Sequence, residues 1–236
     1  MDKHVVILAG GKGTRLWPYT ASLPKPLVPI GDTPILELIM RQLVRHGFRV
    51  ATLAVNHQAD IIRAYFGDGA KLGLSIRYSL ETQPLSTIGP LRLIESLPEN
   101  FLIMNGDILT DLDFGAFLDR HCADRRLFTV AAARREQMID YGVIQIDERG
   151  RAARFMEKPR TPYLVSMGVY AANRDIVDRI PPGRAYGFDA LMVDLIATGR
   201  PADIQVHDGY WLDIGRPDDY QTAIEELPRV RQRMGL

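Results

Sequence analysis

Val5-Val6-Ile7-Leu8-Ala9-Gly10-Gly11-Lys12-Gly13-Thr14-Arg15 runs from an unbroken apolar segment straight into a glycine cluster. The apolar part shows no polar alternation, as expected of a central parallel strand buried on both faces. The glycines let the chain turn sharply and bring several backbone N–H groups together, the geometry of an anion nest. Arg15 adds a fixed charge whose planar fork suits bidentate phosphate contact. A strand ending on such a loop delivers it to the sheet edge where α/β proteins bind ligands. Two better-known phosphate motifs do not fit. A dinucleotide fold needs a third glycine and an immediate helix, but Pro18, Pro24, Pro26 and Pro29 forbid one. A P-loop needs Ser or Thr directly after its lysine, and here Gly13 follows Lys12. On these residues alone, a phosphate cradle and a plain glycine turn both stand.

Outward from this loop the pattern alternates. Thr33-Pro34 reads as an N-cap followed by proline at the first helical position, opening a helix that Gly47 stops. Val50 to Asn56 reads as a strand, Ala59 to Phe66 as a helix, Leu74 to Leu80 as a strand and Leu91 to Ser96 as part of a helix. Phe101 to Met104 is a buried strand ending at Asn105-Gly106-Asp107. Beyond Leu127 the spacing changes: Val143 to Ile146 enters a hairpin turn and Arg154 to Met156 returns. Val165 to Ala171, Asp203 to His207 and Trp211-Leu212 read as strands, and Phe188 to Thr198 and Asp218 to Glu226 as helices. The expected fold is α/β: a Rossmann-like open, mostly parallel sheet flanked by helices, with a smaller mixed-sheet lobe. No linker or repeat divides the 236 residues, so one domain is expected, with a front lobe near 1–125 and a back lobe near 126–236.

Composition narrows the function. Acidic and basic residues balance at 29 each, which disfavours a broad nucleic-acid or anionic-membrane surface but admits a small anionic ligand. The lone cysteine, Cys122, cannot form an internal disulfide; it is expected to be buried, inert and at a helix end. No segment is long and apolar enough for a signal core or a membrane span, so a cytoplasmic protein is expected. Asp107, at the end of a buried strand, suits either Mg²⁺, which keeps few protein ligands beside phosphate and water, or the capping of its turn. Glu157-Lys158, taken alone, reads as an exposed ion pair.

Leu8 to Leu16 followed by Leu23-Pro24-Lys25-Pro26-Leu27-Val28-Pro29 resembles the signature of the sugar-phosphate nucleotidyltransferases. The likeness extends from about Val5 to Tyr220 and takes in Trp211-Leu212-Asp213-Ile214-Gly215-Arg216-Pro217 and Glu157-Lys158-Pro159. It implies that an NTP and a sugar 1-phosphate are the partners and Mg²⁺ the cofactor. Leu8, Gly10, Gly11, Gly13, Thr14 and Arg15 would take the nucleotide, with Gln83 and Gly89 near the base and Lys25 on the phosphates. Asn105, Tyr141, Gly142, Glu157, Lys158 and Gly168 would take the sugar phosphate, while Asp107 and Asp213 share the metal. Arg15, Lys25, Asp107, Lys158 and Asp213 form the implied catalytic set. In the base-reading segment, Ser86 and Ile88 replace the family's usual glycine and alanine. Gly89-Pro90-Leu91 looks like mannose-1-phosphate guanylyltransferases, favouring GTP. Gly73 to Ser79 and Gly106 to Asp111 look more like N-acetylmuramate-1-phosphate uridylyltransferases.

The implied chemistry needs no histidine base, because a sugar 1-phosphate with a second pKa of about 6 is already ionised at neutral pH. His4, His46, His57, His121 and His207 are accordingly scattered. Rival readings are a non-catalytic nucleotide-sugar regulator, disfavoured by the retained charged set, and a Rossmann oxidoreductase, disfavoured by the missing third glycine. A homo-oligomer is admitted, with no residue pattern that sets its order.

Overall fold

A computed structural model describes residues 2–236 except Lys12 and His57. In chain order the strands and helices are β1 (Lys3–Leu8), β2 (Pro29–Ile30), β3 (Thr33–Pro34), α1 (Ile35–Arg45), β4 (Phe48–Val55) and α2 (Ala59–Phe66). Then come β5 (Ser75–Leu80), β6 (Asn100–Asn105), β7 (Ile108–Thr110), α3 (Phe114–Ala123) and β8 (Phe128–Met138). The chain continues through β9 (Val143–Ile146), β10 (Ala152–Met156), β11 (Arg160–Asn173), α4 (Phe188–Ala197), β12 (Asp203–His207), β13 (Trp211–Asp213) and α5 (Pro217–Met234).

Seven strands form the central sheet in the order β12-β8-β11-β6-β1-β4-β5. β6, β1, β4 and β5 run parallel, β12 is parallel to β8, and β11 is antiparallel to both its neighbours. The mostly parallel sheet flanked by helices is the architecture expected from the alternating pattern. Its two faces are both covered, which explains the unbroken apolar run in β1. Val5 and Ile7 pack under α1, α3 and α5, while Val6 packs on the opposite side with Phe101, Ile103, Leu191 and Leu195. A one-residue slip would exchange those two cores, so the register is strongly specified. Among the described residues no helix is long and apolar enough to cross a membrane.

Several elements differ from the sequence expectation. Thr33 does not cap α1: with Pro34 it pairs as β3 against β2, and Pro34 takes the N-cap position ahead of Ile35, with no side-chain cap. Thr33 Oγ1 is engaged by Asp32 and Arg231 instead. Leu91 to Ser96 is not α-helical: a 3₁₀ turn spans Gly89–Leu93 and then ends. Pro90 and Pro98 bracket too few residues to complete a stable α-nucleus. β8 has no counterpart in the sequence reading, because its Ala131-Ala132-Ala133 and its charged outer half carry little β-propensity. α5 runs past Glu226 to Met234 with Pro228 inside it; the buried Leu227, Val230 and Met234 hold the helix through that missing hydrogen bond. Cys122 does lie at the end of α3, but it is exposed rather than buried. Partial desolvation and nearby Asp119 push its thiol pKa up, which keeps it unreactive.

Candidate active site

The parallel strands converge on one cavity. Leu8 ends β1, Asn105 ends β6, and Asn56 and Glu81 each follow the last residue of β4 and β5. All four line a space of about 470 Å³ together with Gly10, Gly11 and Asp107. This is the carboxyl edge of the sheet at β1, where the connections diverge to either side, the usual ligand crevice of open α/β sheets.

The glycines serve different purposes along the loop. Gly13 adopts φ +62°, and a Cβ there would lie 2.9 Å from Thr20 Cγ2, so the turn accepts no larger residue. A Cβ on Gly11 would meet nothing within 4 Å, leaving its backbone open to the cavity. Gly10 is pinned from behind: Asn56 Nδ2 donates to its carbonyl. Lys12 lies outside the described residues. Thr14 and Arg15 form a short 3₁₀ turn after the glycines, with Arg15 exposed at its end.

Lys25 sits in a 3₁₀ turn between Pro24 and Pro26, which aims its side chain back at the glycine loop. Its Nζ donates to Asp107 Oδ2 in an ion pair whose side chains are only 11% and 20% exposed. Such a pair is screened far less than a surface one. Asp107 Oδ1 is buried and has no hydrogen-bond partner among the described residues. β13 pairs with β7, setting Asp213 opposite Ile108, and the Ile214 N–H donates to the Asp107 carbonyl at 3.0 Å. Asp213 therefore stands beside Asp107. Its pKa is raised above the ordinary carboxyl value, first by desolvation and then by the Asp107 charge. Among the described residues no cluster of three or more His, Cys, Asp or Glu is placed to hold a metal. Two carboxylates with one orphaned oxygen fit a hard cation that takes its other ligands from phosphate and water.

Gly168 and Asn105 are brought together. Gly168 occupies a bulge in β11 at φ +70°, where the pairing with β8 shifts register. A Cβ there would come within 2.6 Å of Asn105 Nδ2. Trp211 fixes this corner by donating its indole N–H to the Met167 carbonyl at 3.0 Å. The remaining sugar-phosphate candidates lie elsewhere. Glu157 and Lys158 follow β10, and Lys158 Nζ pairs with Asp140 at 2.7 Å. The Lys158 N–H donates to the carbonyl of the exposed Tyr141, and a Cβ on Gly142 would meet the Phe155 ring and Glu157. None of these four lines the cavity. Gln83 bonds the Gly183 carbonyl at 3.3 Å, and Gly89 packs beneath the loop against Leu85, its N–H on the Tyr186 carbonyl. Both line a neighbouring space of about 210 Å³ rather than the main cavity.

The sequence reading placed Glu81 at the start of the base-reading segment without a role of its own, and it missed Asn56, which the cavity also uses. Asn56 and Glu81 carried a usable signal, since each stands one residue past a parallel strand. Glu81 Oε1 faces Gly10, and burial pushes its pKa up. Ser86, where the family has glycine, does line the cavity and holds φ +64°. The described histidines stay out of it: His4 and His121 bond core threonines, His46 accepts from the Phe114 N–H, and His207 pairs with Asp111.

Comparison with known proteins agrees with this geometry. The family model described as nucleotidyl transferase matches residues 4–229. A mannose-1-phosphate guanylyltransferase of Mycobacterium tuberculosis is 32% identical over 95% of this chain and 64% of its own length. A UTP–glucose-1-phosphate uridylyltransferase of Synechocystis is 33% identical over 98% of this chain and 67% of its own. The chain thus spans about two thirds of the length of these relatives. Among solved structures, HddC from Yersinia pseudotuberculosis superposes with a TM-score of 0.73 at 26% identity, covering 95% of this chain and 99% of that one. A second HddC structure, complexed with GMP-PN, gives a TM-score of 0.71. With a strand-end glycine cradle, a paired lysine and aspartate and a family match over almost its whole length, the chain belongs to the nucleotidyl transferase family.

Proposed function

We propose that this chain is a sugar-1-phosphate nucleotidyltransferase that joins an NTP, with GTP preferred, to a sugar 1-phosphate and releases inorganic diphosphate. The observation that carries the reading is Asp107. Its half-buried carboxylate keeps one oxygen on Lys25 and the other, which is buried, without a partner among the described residues, at the mouth of a glycine cradle. A buried carboxylate oxygen left unpaired is costly unless a ligand completes it.

Asp107 and Asp213 would hold Mg²⁺, which when bound supplies charge neutralisation at the phosphates. The chain's own residues do the rest. Loop N–H groups at Gly10, Gly11 and Gly13 hold the triphosphate, and Lys25 and Arg15 balance its charge. Residues 1–125 are assigned to the nucleotide and 126–236 to the sugar phosphate. Glu157 and Lys158, with Tyr141 and Gly142, are assigned to the acceptor on their family motif. An oxygen of the sugar 1-phosphate bonds the α-phosphorus in line as the bond to the β-phosphate oxygen breaks. That electron pair leaves with diphosphate, so no side chain has to remove a proton.

The preference for guanine is supported by Glu81 as well as by the guanylyltransferase relatives. Guanine offers two adjacent donors, N1–H and N2–H, to a carboxylate acceptor, whereas uracil offers one donor between two acceptors. The decisive experiment pairs five NTPs with a panel of sugar 1-phosphates and Mg²⁺ and measures diphosphate release. Turnover with GTP and a hexose 1-phosphate is expected. NTP binding without release in any pairing overturns the assignment in favour of a regulator.

A further inference from the structure

β12 is an outermost strand of the central sheet and pairs only with β8. A strand in that position carries a row of backbone N–H and C=O groups on its free side. Among the described residues, nothing outside β8 hydrogen-bonds to the backbone of 203–207. The opposite edge is less open: β5 carries Arg77, and its Ile76 N–H is taken by the Asp68 carbonyl at 2.8 Å. Proteins commonly blunt an edge strand with lysine, proline or a bulge. β12, Asp203-Ile204-Gln205-Val206-His207, has none of these, and its pairing with β8 runs without a register shift.

Apolar surface flanks this open edge. Ile204 lies opposite Val130, which packs in the core under α4 with Leu191 and Leu195. Val206, two residues on, shares that face, and both side chains are exposed. In α4 only Asp189 and Asp194 are polar. Leu191 and Leu195 are buried against the sheet, while Val193 and Ile196 are 68% and 63% exposed. A helix apolar on every side is ordinarily covered on every side. The short connection 198–202 joins α4 to β12, so the four aliphatic side chains lie along the same border of the molecule.

The strand is complementary to itself. Turned about a twofold axis through Gln205, it meets a second β12 antiparallel. Ile204 then lies opposite Val206, and Gln205 opposite Gln205, where each amide offers the other a donor and an acceptor. Asp203 lies opposite His207, so the pairing sets no like charges against each other. These pairs join residues of the same parity, so the register holds whichever alternate residues turn their backbone groups outward. We propose that this border is an interface between two copies of the chain, in which β12 pairs with β12 about Gln205 and joins the two sheets into one. The same axis brings α4 beside its twin, where Val193 and Ile196 of each copy cover those of the other. That helix contact is needed, because a short edge strand alone buries less than the roughly 1,200–2,000 Å² of a stable interface. None of these residues lines the main cavity, so the inference does not depend on the reaction.

Sedimentation velocity on the full chain between about 1 and 100 µM tests the interface, since pairing follows mass action. The mass of two copies is expected at the upper end. Val206→Lys and Val193→Glu are each expected to give a single copy throughout, with unchanged far-ultraviolet circular dichroism. Ile144→Lys, on the exposed β9–β10 hairpin, is expected to pair like the wild type. The register is read separately by oxidation in a Cys122→Ser background, because Cys122 is itself exposed. Gln205→Cys is expected to cross-link to its twin, whereas Asp203→Cys, held about 13 Å from its own twin, is not. A wild type that stays single at about 100 µM overturns the proposal. So do β12 and α4 variants that still pair, pairing that is lost in Ile144→Lys instead, or cross-linking of Asp203→Cys in preference to Gln205→Cys. Should a charged variant lose its circular dichroism, the Gln205→Cys cross-link, read on an intact apolar border, decides alone.

Discussion

Three side chains in the cavity support separable predictions. Asp107→Asn keeps the shape and one hydrogen bond to Lys25 but removes the charge on the orphaned oxygen. The variant is expected to fold with near-normal Tm while kcat drops about 10²–10³-fold, measured as diphosphate release. Near-normal turnover would remove Asp107 from the metal. Glu81→Gln replaces one of two acceptor oxygens at the cavity wall by a donor, so, on the guanine reading, discrimination of GTP over UTP in kcat/KM should fall by about 10–100-fold. Equal loss for both nucleotides would leave Glu81 as a support of Gly10. Ser86 holds φ +64°, a conformation that costs a non-glycine residue about 1–2 kcal/mol. Ser86→Gly relieves that strain against about 0.5–1 kcal/mol of added chain entropy. A net gain of up to about 1 kcal/mol follows, read as a small rise in Tm. These residues differ in how legible they were. Asp107 and Lys25 stand inside motifs, and Ser86 was visible as a departure from one. Glu81 stands in the base-reading segment and Asn56 one residue past a parallel strand, but their meeting shows only once the four strand ends are known to converge.

At the scale of elements, legibility followed local chemistry. β1, β4 and β6 are continuous apolar runs because both sheet faces are covered, and their pattern survives without any structure. β8 was hidden because its stability comes from long antiparallel pairing with β11 rather than from its own alanines and charges. The 3₁₀ turn at Gly89–Leu93 shares apolar spacing with a helix, and periodicity does not separate the two over five residues. The bulge in β11 belongs to the same class: the resemblance offers Gly168 as a sugar-phosphate contact, but nothing local in the sequence shows that the strand bulges there. Its left-handed backbone lets β11 bend past Asn105 and Ile108. Gly168→Ala therefore combines about 1–2 kcal/mol of backbone strain with about 1 kcal/mol or more of crowding. The expected result is a Tm lowered by roughly 4–10 °C. KM for the sugar 1-phosphate should also rise, because Asn105 is the side chain that has to move. A Tm within 1 °C of wild type would mean that the bulge relaxes freely, and the rigid β11–Asn105 corner would be withdrawn (a shift on the order of 1 °C being well under 1 kcal/mol at this size).

For the whole molecule, the two cores on either side of the sheet each contain a histidine used as a neutral hydrogen-bonding group. His4 bonds Thr52 and His121 bonds Thr129, each at 2.8 Å. Burial, reinforced by Arg77 at His4, holds that ring's pKa down to about 4. Burial likewise brings His121 down to about 4, with Arg126 assisting and Asp203 and Asp124 opposing. Unfolded, both rings titrate near the ordinary value of about 6.5. Between about pH 6.5 and 4 the unfolded chain therefore binds more protons than the folded one, so folding stability is full above that window and falls as the pH drops through it. Each ring contributes at most about 1.4 kcal/mol per pH unit in that window, and together they approach about 2.7. Neither ring lines the main cavity, so the acid sensitivity should be one of folding rather than of the site. Urea unfolding at pH 7.5 and pH 5 should show a midpoint markedly lower at pH 5, with the m-value unchanged. His121→Gln should reduce the difference by about half if the two sites act independently. A midpoint that does not move between those pH values would mean that the rings take up protons in the fold as readily as in the unfolded chain, and that the pairing of each with a core threonine is not what keeps it neutral.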